Sequence, residues 1–159
     1  MSKLTASRLR ALLHYEPSTG VFTWLNASRG THKGARAGTI SGGYRVIRVD
    51  GVLYKSARLA VLWMTGHWPQ LLVDHRNCIK DDDRWSNLRT ANHSQNGANS
   101  PARTNFKGVA WDRVRGRYAA WIGVNNRNIH LGRFDTAEQA HAAYVAAAEK
   151  HFGEFARRA

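Results

Sequence analysis

Residues 71–100, which read LLVDHRNCIKDDDRWSNLRTANHSQNGANS, decide the fold of the N-terminal part of this chain. A short apolar run leads into the pair Asp74-His75, and a long polar loop follows. Leu88–Ala91 returns to residues typical of a strand. Ser94 is then placed to cap a short helix. The predicted order is strand, long loop, strand and helix.

Four side chains in this stretch suit the hydrolysis of a phosphodiester. A histidine such as His75 accepts a proton from water near neutral pH. Oxygen ligands such as the Asp74 carboxylate and the Asn96 carboxamide suit one Mg²⁺ or Mn²⁺ ion per active site better than zinc. Asn87 either fixes the loop or orients the imidazole. Neighbouring strand residues point to opposite faces, so the strand must end or bend at Asp74-His75 for both to serve one site.

The charge composition indicates which class of molecule the chain binds. The 159 residues include 24 Lys+Arg against 11 Asp+Glu, which gives a formal net charge of +13. Such an excess attracts polyanions, either nucleic acid or an anionic membrane surface. No apolar run approaches the ~20 residues of a membrane span, so no membrane partner is predicted. The first residues lack a signal-peptide core, which predicts a cytoplasmic protein.

The single cysteine, Cys78, excludes an intrachain disulfide and a multi-thiolate zinc site.

The N-terminal motif residues resemble the HNH pattern of phage and intron-encoded homing endonucleases. They are Asp74-His75, Asp82, the run Arg84–Arg89, Ser94–Asn96 and, upstream, the segment from Arg58 to Pro69. The resemblance implies a ββα-metal (His-Me finger) site with His75 as general base and Asn87 as positioning residue. It also implies Asp74 and Asn96 as metal ligands, and His93 is the rival of Asn96.

Three positions depart from the usual pattern of these enzymes. Cys78 stands where a glycine is usual, Asp83 where an asparagine is common, and Ala57 where a histidine often precedes Arg-Leu-Ala. A non-glycine residue at position 78 predicts a strained or differently turned loop after His75. None of the three departures removes a proposed ligand or the base.

The last third of the chain alternates as a sheet does. Phe106–Trp111, Arg117–Val124 and Arg127–Leu131 predict three antiparallel strands, and a helix begins after Asp135. The alternation places one set of side chains toward the helix: Tyr118, Ala120, Ile122 and Val124. Arg117, Ala119 and Trp121 then face outward, together with Asn128 and His130 of the next strand, while Ile129 faces inward.

Residues 104–156 resemble the Apetala/ethylene-response-factor DNA-binding domain. The residues that carry the resemblance are Phe106–Val109, Trp111, Gly116–Ile122, Ile129–Gly132, Phe134–Thr136, Ala140, Ala143-Tyr144 and Phe152-Gly153. The resemblance implies a three-stranded sheet that enters the major groove of double-stranded DNA. Arg and Asn read base edges, whereas Lys mainly binds phosphate. The predicted DNA-binding residues are Lys107, Arg113, Arg115, Arg117, Trp121, Asn128 and His130; the alternative for Trp121 is a second small core.

The predicted fold is therefore α+β in two parts. A nuclease domain covers residues 1–100, with its ββα-metal motif at about 71–100. A linker at 101–105 leads to the DNA-binding domain at 106–159, a three-stranded antiparallel sheet packed on one helix. The leading hypothesis is a DNA endonuclease that nicks or cuts both strands, as a monomer or a homodimer. A non-catalytic DNA-binding regulator with a degenerate nuclease core and, third, an RNA-binding protein are the alternatives.

Overall fold

The computed structural model describes residues 4–27, 30, 32–101 and 106–157. These residues form a mixed α+β protein with four α-helices and several small sheets. Contacts group into two compact units, Met1–Thr90 and Ala91–Ala159. The predicted linker begins at Pro101, and its remaining residues, 102–105, lie outside the described part of the chain.

The first unit combines two helices with three small sheets. Its elements are α1 (Ala6–Leu12), β1 (Leu13–Glu16), β2 (Val21–Trp24), β3 (Thr39–Ser41), β4 (Tyr44–Val49), β5 (Val52–Lys55), α2 (Ser56–Thr65), β6 (Leu72–His75) and β7 (Leu88–Ala91). β1 pairs with β2, β6 pairs with β7, and β4 lies between β3 and β5. The last residue of β7, Ala91, is already counted with the second unit.

The Asp50-Gly51 turn between β4 and β5 has the backbone angles of a two-residue hairpin turn. Both residues have positive φ, 47° at Asp50 and 82° at Gly51, which a two-residue type I′ connection requires. Val49 and Val52 pair across the turn. The α2 helix ends where Gly66 adopts φ 81°.

The core of the first unit lies between its two helices and the inner faces of the hairpins. Its fully buried large side chains are Leu9, Leu13, Tyr15, Phe22, Ile47, Leu59 and Leu62. Burying each such apolar side chain contributes about 1.5–3 kcal/mol. Val73 and Leu88 pack against this cluster, so the core fixes the two strands that carry the candidate site.

The second unit is one sheet covered by one long helix, preceded by a short helix. Its elements are α3 (His93–Asn99), β8 (Val109–Asp112), β9 (Arg117–Val124), β10 (Arg127–Phe134) and α4 (Ala137–Phe152). β9 is the central strand, and both of its neighbours run antiparallel to it. The core joins Ile122 of β9 to Tyr144, Ala148 and Phe152 of α4, and Ala98 of α3 belongs to the same cluster.

Several details of the second unit differ from the sequence prediction. β8 starts at Val109, not at Phe106, because Gly108 at φ 74° forms a turn before the strand. The cap of α3 is Asn92, whose side chain forms a reciprocal capping box with Gln95. Ser94 instead accepts a hydrogen bond from the Asn125 backbone N–H at 2.9 Å.

Two residues of the sheet have an exposure that the alternation of faces does not indicate. Ala119, on the face predicted to lie outward, is only 5% exposed. Ile129 pairs with buried Ile122, yet it is 38% exposed, since β10 is an edge strand. Alternation assigns a residue to a face, but cover by the rest of the fold decides how much of the residue water reaches.

None of the helices among the described residues has the length and apolarity needed to span a bilayer.

Candidate functional site

Asp74 and His75 are the last two residues of strand β6. The strand ends at His75, as the sequence requires if both side chains serve one site. Asp74 is 6% exposed and His75 is 5% exposed. Titratable residues are rarely buried this deeply unless a polar or charged partner compensates for lost hydration. The partners therefore define what the pair can do.

The partner of His75 is Asp83. The imidazole Nε2 lies 2.8 Å from Asp83 Oδ1, and the two side chains are 6% and 3% exposed. A carboxylate in its ionised form has only acceptor sites, and Nε2–H would be the donor to it. The ring of Tyr44 lies nearby, with its centroid 6.2 Å from that of His75. The imidazole is thus held inside the fold by a buried hydrogen bond to Asp83.

The partner of Asp74 is Arg89 on β7. The guanidinium Nε lies 3.0 Å from Asp74 Oδ2, and both side chains are nearly buried. The ion pair compensates a carboxylate that would otherwise be costly to bury. A cation that binds Asp74 would therefore share the carboxylate with the Arg89 guanidinium, or would displace that guanidinium.

Asn87 holds the loop that follows His75. Its Oδ1 accepts from the Asn77 backbone N–H at 3.1 Å, and its Nδ2 donates to Asn77 Oδ1 at 3.0 Å and to the Asp82 carbonyl at 2.7 Å. Its own carbonyl accepts from Arg76 N–H at 2.9 Å. These hydrogen bonds of the Asn87 side chain are all with residues of this loop.

Two of the three consecutive aspartates in the loop pair with arginines. Arg84 donates to Asp82 at 2.7 and 2.6 Å. This bond, with a smaller one from Asn77, lowers the pKa of Asp82 to about 2. Asp81 pairs with Arg45 at 3.0 Å. Within the described ranges, no group of three or more His, Cys, Asp or Glu residues is placed to hold a metal ion.

Cys78 adopts the left-handed conformation, which agrees with the prediction of a strained or differently turned loop after His75. Its φ is 63°, a region that costs a non-glycine residue roughly 1–3 kcal/mol. Its backbone N–H donates to the His75 carbonyl at 3.0 Å. The strain therefore lies in the turn directly after His75.

The β1–β2 turn braces the backbone of Asp83, which sequence reasoning missed. The hydroxyl of buried Tyr15 donates to the Asp83 carbonyl at 2.6 Å, and burial raises the pKa of that phenol. Gly20, at φ 74°, lies so close that an added Cβ would come 2.3 Å from the Asp83 carbonyl carbon. The Trp85 N–H donates to the Pro17 carbonyl at 2.9 Å. No short motif joins residues so far apart in the sequence.

In the second unit, α3 carries the predicted ligand Asn96 and its rival His93. Asn96 is half-buried in the middle of the helix, whereas His93 is exposed at its first position. The Asn96 backbone N–H donates to the Asn92 carbonyl at 2.9 Å, as in a regular helix. Both residues thus belong to one short, capped element.

The outward face of the second unit's sheet presents aromatic and polar side chains. Trp121 and His130 are register partners on β9 and β10, with ring centroids 4.5 Å apart. Trp121 remains 42% exposed, and Asn128 and His130 are exposed as well. Arg117 pairs with Asp135 at 2.7 Å, and both side chains are largely in solvent.

The other predicted DNA-binding residues differ in the contacts that their charged groups make within the protein. The Lys107 ammonium donates to the carbonyls of Gly97, Ala98 and Ser100 at 2.9, 2.6 and 2.6 Å. It thereby satisfies the C-terminal end of α3. Arg115 lies 3.4 Å from Asp112. Arg113 is exposed in the turn between β8 and β9.

Two family models match the chain. Residues 54–98 match the model described as HNH endonuclease, and residues 104–154 match the model described as AP2 domain. Both resemblances found in the sequence are thereby confirmed, in the same order. No curated protein matches the chain. The first match contains Asp74, His75, Asn87 and Asn96, and the two matches together support a DNA-binding nuclease with duplex DNA as its partner.

Proposed function

We propose that this chain, with an HNH endonuclease match followed by an AP2 match, is a divalent-metal-dependent endonuclease that cuts duplex DNA at selected sequences. The observation that carries the proposal is the buried Asp74-His75 pair at the end of β6, inside the nuclease match. A buried imidazole held by a carboxylate is suited to accept a proton from an attacking water.

In this proposal, three residues of the first unit have separate roles. His75 accepts the proton of the water that attacks phosphorus. Asn87 acts at a distance from the reaction, because its carboxamide holds the loop between β6 and β7. Asp74 provides a carboxylate oxygen next to the base. The order of elements along the chain, β6, β7 and then α3, supports a ββα-metal nuclease.

The donor chemistry fits a hard divalent ion, Mg²⁺ or Mn²⁺. Mg²⁺ in nucleotide-processing sites commonly takes one or two carboxylates, with waters and substrate phosphate completing the octahedron. Asp74 would supply the carboxylate, and Asn96 would supply a carboxamide oxygen, with His93 as the rival. When bound, the ion neutralises charge on the phosphoryl oxygens and the leaving oxygen. Arg89 must then yield part of its contact with Asp74.

The outward face of β9 and β10 is the proposed DNA-reading surface. Trp121, Asn128 and His130 form its centre, and Arg117 lies at the start of β9. Arg113 and Arg115 add charge in the turn before β9. We assign Lys107 the smallest direct contribution, since its ammonium is engaged by three carbonyls.

A second candidate function is a DNA-binding regulator without catalysis. The Asp74–Arg89 ion pair favours it, because a guanidinium occupies a carboxylate that a nuclease needs for its metal. The two functions share DNA binding and differ in cleavage.

Incubation of the full chain with supercoiled plasmid separates the two candidates. With Mg²⁺ or Mn²⁺ the nuclease converts plasmid to the nicked form as a monomer, or to the linear form as a homodimer, and excess chelator stops the reaction. Binding without any cleavage in either metal would contradict the nuclease and support the regulator.

A further inference from the structure

We propose that Asp83 is a positioning residue that fixes the tautomer and orientation of His75. The effect of Asp83 on cleavage rests on the proposed nuclease function, in which His75 is the base. Asp83 enters the sequence pattern only as a departure from asparagine, and no role follows from that position alone. Its geometry is what assigns one.

The contact between the two side chains determines where the imidazole carries its proton. Asp83 Oδ1 lies 2.8 Å from His75 Nε2, and both groups are almost fully buried. When Asp83 is ionised its carboxylate only accepts, and at this distance Nε2 then retains a hydrogen. In the neutral ring the lone pair then belongs to Nδ1. Asp83 thereby selects Nδ1 as the atom that accepts a proton from water.

Asp83 can perform this task because its own backbone is held by the core. Tyr15, which is 0% exposed, donates to the Asp83 carbonyl at 2.6 Å. The Tyr15 ring packs on Phe22 with centroids 4.7 Å apart. Gly20 leaves no room for the Asp83 backbone to move toward the β1–β2 turn. These three residues precede the segment that matches the nuclease family, so this part of the chain supports the base from outside the motif.

The three consecutive acidic residues serve three different partners. Asp81 bonds Arg45 and Asp82 bonds Arg84, whereas Asp83 bonds the imidazole. Asp81 is one-third exposed on its side chain, while Asp83 is buried. Asp81→Asn is therefore a matched control for charge removal from the same loop.

Cleavage kinetics of Asp83→Leu and Asp83→Asn test the proposal. Leucine is similar in bulk but accepts no hydrogen bond, whereas the asparagine Oδ1 still accepts from Nε2–H. We expect kcat to fall at least ~100-fold in Asp83→Leu, the lower range of a general base's contribution, with KM for duplex DNA unchanged. Asp83→Asn restores most of the loss, and Asp81→Asn cleaves as the wild type does.

A second readout does not depend on activity. The ¹⁵N shifts of His75, measured well above the ordinary histidine pKa of about 6.5, report which nitrogen is protonated. Wild type and Asp83→Asn are expected to show the Nε2–H form, and Asp83→Leu a mixture of both tautomers. Thermal unfolding verifies that each variant is folded; if Asp83→Leu does not fold, the wild type and Asp83→Asn spectra carry this test.

The proposal is overturned if the wild-type ring carries its proton on Nδ1, or if a folded Asp83→Leu cleaves like the wild type. If the wild type cleaves no DNA but shows the Nε2–H form, the nuclease function fails while the role of Asp83 at His75 stands.

Discussion

The close approach of Gly20 to the Asp83 backbone allows a quantitative prediction. In Gly20→Ala, the new Cβ would lie 2.3 Å from the Asp83 carbonyl carbon and 2.4 Å from Arg84 N. Carbon atoms normally approach to only about 3.5–4.0 Å, so the turn or the loop must move by more than an ångström. Both atoms are backbone atoms, and no side chain can swing away to relieve the overlap.

Two costs add in this variant. A non-glycine residue at φ 74° costs roughly 1–2 kcal/mol, and the overpacking adds about 1–3 kcal/mol. The total, about 2–5 kcal/mol, corresponds to a fall in Tm of roughly 8–40 °C for a unit of this size. The same displacement moves Asp83 away from His75, so cleavage falls together with stability.

Gly51→Ala is the matched control. Gly51 has φ 82°, but no atom lies within 4 Å of its added Cβ. This variant therefore carries only the conformational cost, about 1–2 kcal/mol, and the entropy that alanine removes from the unfolded chain is common to both variants. Thermal unfolding followed by circular dichroism compares the two. Equal Tm values for Gly20→Ala and Gly51→Ala would refute the claim that the turn braces Asp83.

Three further predictions concern ion pairs and caps. Arg89→Ala removes the partner of buried Asp74 and is expected to destabilise the protein by about 3–5 kcal/mol; in urea titrations added Mg²⁺ should recover part of this loss, and wild-type stability would contradict the prediction. Lys107→Met should cost about 1–3 kcal/mol by uncapping α3 without changing the salt dependence of DNA affinity, and a shallower log–log slope would instead place this ammonium on a phosphate. Because the folded pKa of Asp82 is about 2 against an ordinary 3.8, its contribution to stability is present above pH 3.8 and lost as the pH falls through 2. Asp82→Asn should flatten acid unfolding in that window, and an unchanged profile would argue against the Arg84 contact.

The sequence predicts those parts of the fold that depend on local chemistry. The Asp50-Gly51 turn follows from the need for positive φ at both positions, and α2 follows from an apolar run closed by Gly66. Asp74 and His75 were identified from residue type and spacing, and the structure places them together at the end of β6. The match to the nuclease family covers the same residues.

Contacts that depend on chain topology were not predictable. Tyr15 reaches Asp83 across 68 positions, and no periodicity relates residues at that separation. Lys107 appeared as a phosphate-binding residue because charge is all that the sequence shows, yet the fold places it on the last carbonyls of α3. Asp83 itself was visible only as an unusual residue in a motif. The role proposed for Asp83 comes from its burial and from its hydrogen bond to His75.

The role of His75 as the base is tested most directly by single-turnover cleavage of a duplex DNA, with affinity for the same duplex measured on the same samples. We expect His75→Ala to lose cleavage in Mg²⁺ and Mn²⁺ by about 10²–10⁴-fold, the range of general-base contributions, while its affinity for the duplex stays that of the wild type. Undiminished cleavage by a folded His75→Ala would contradict the account.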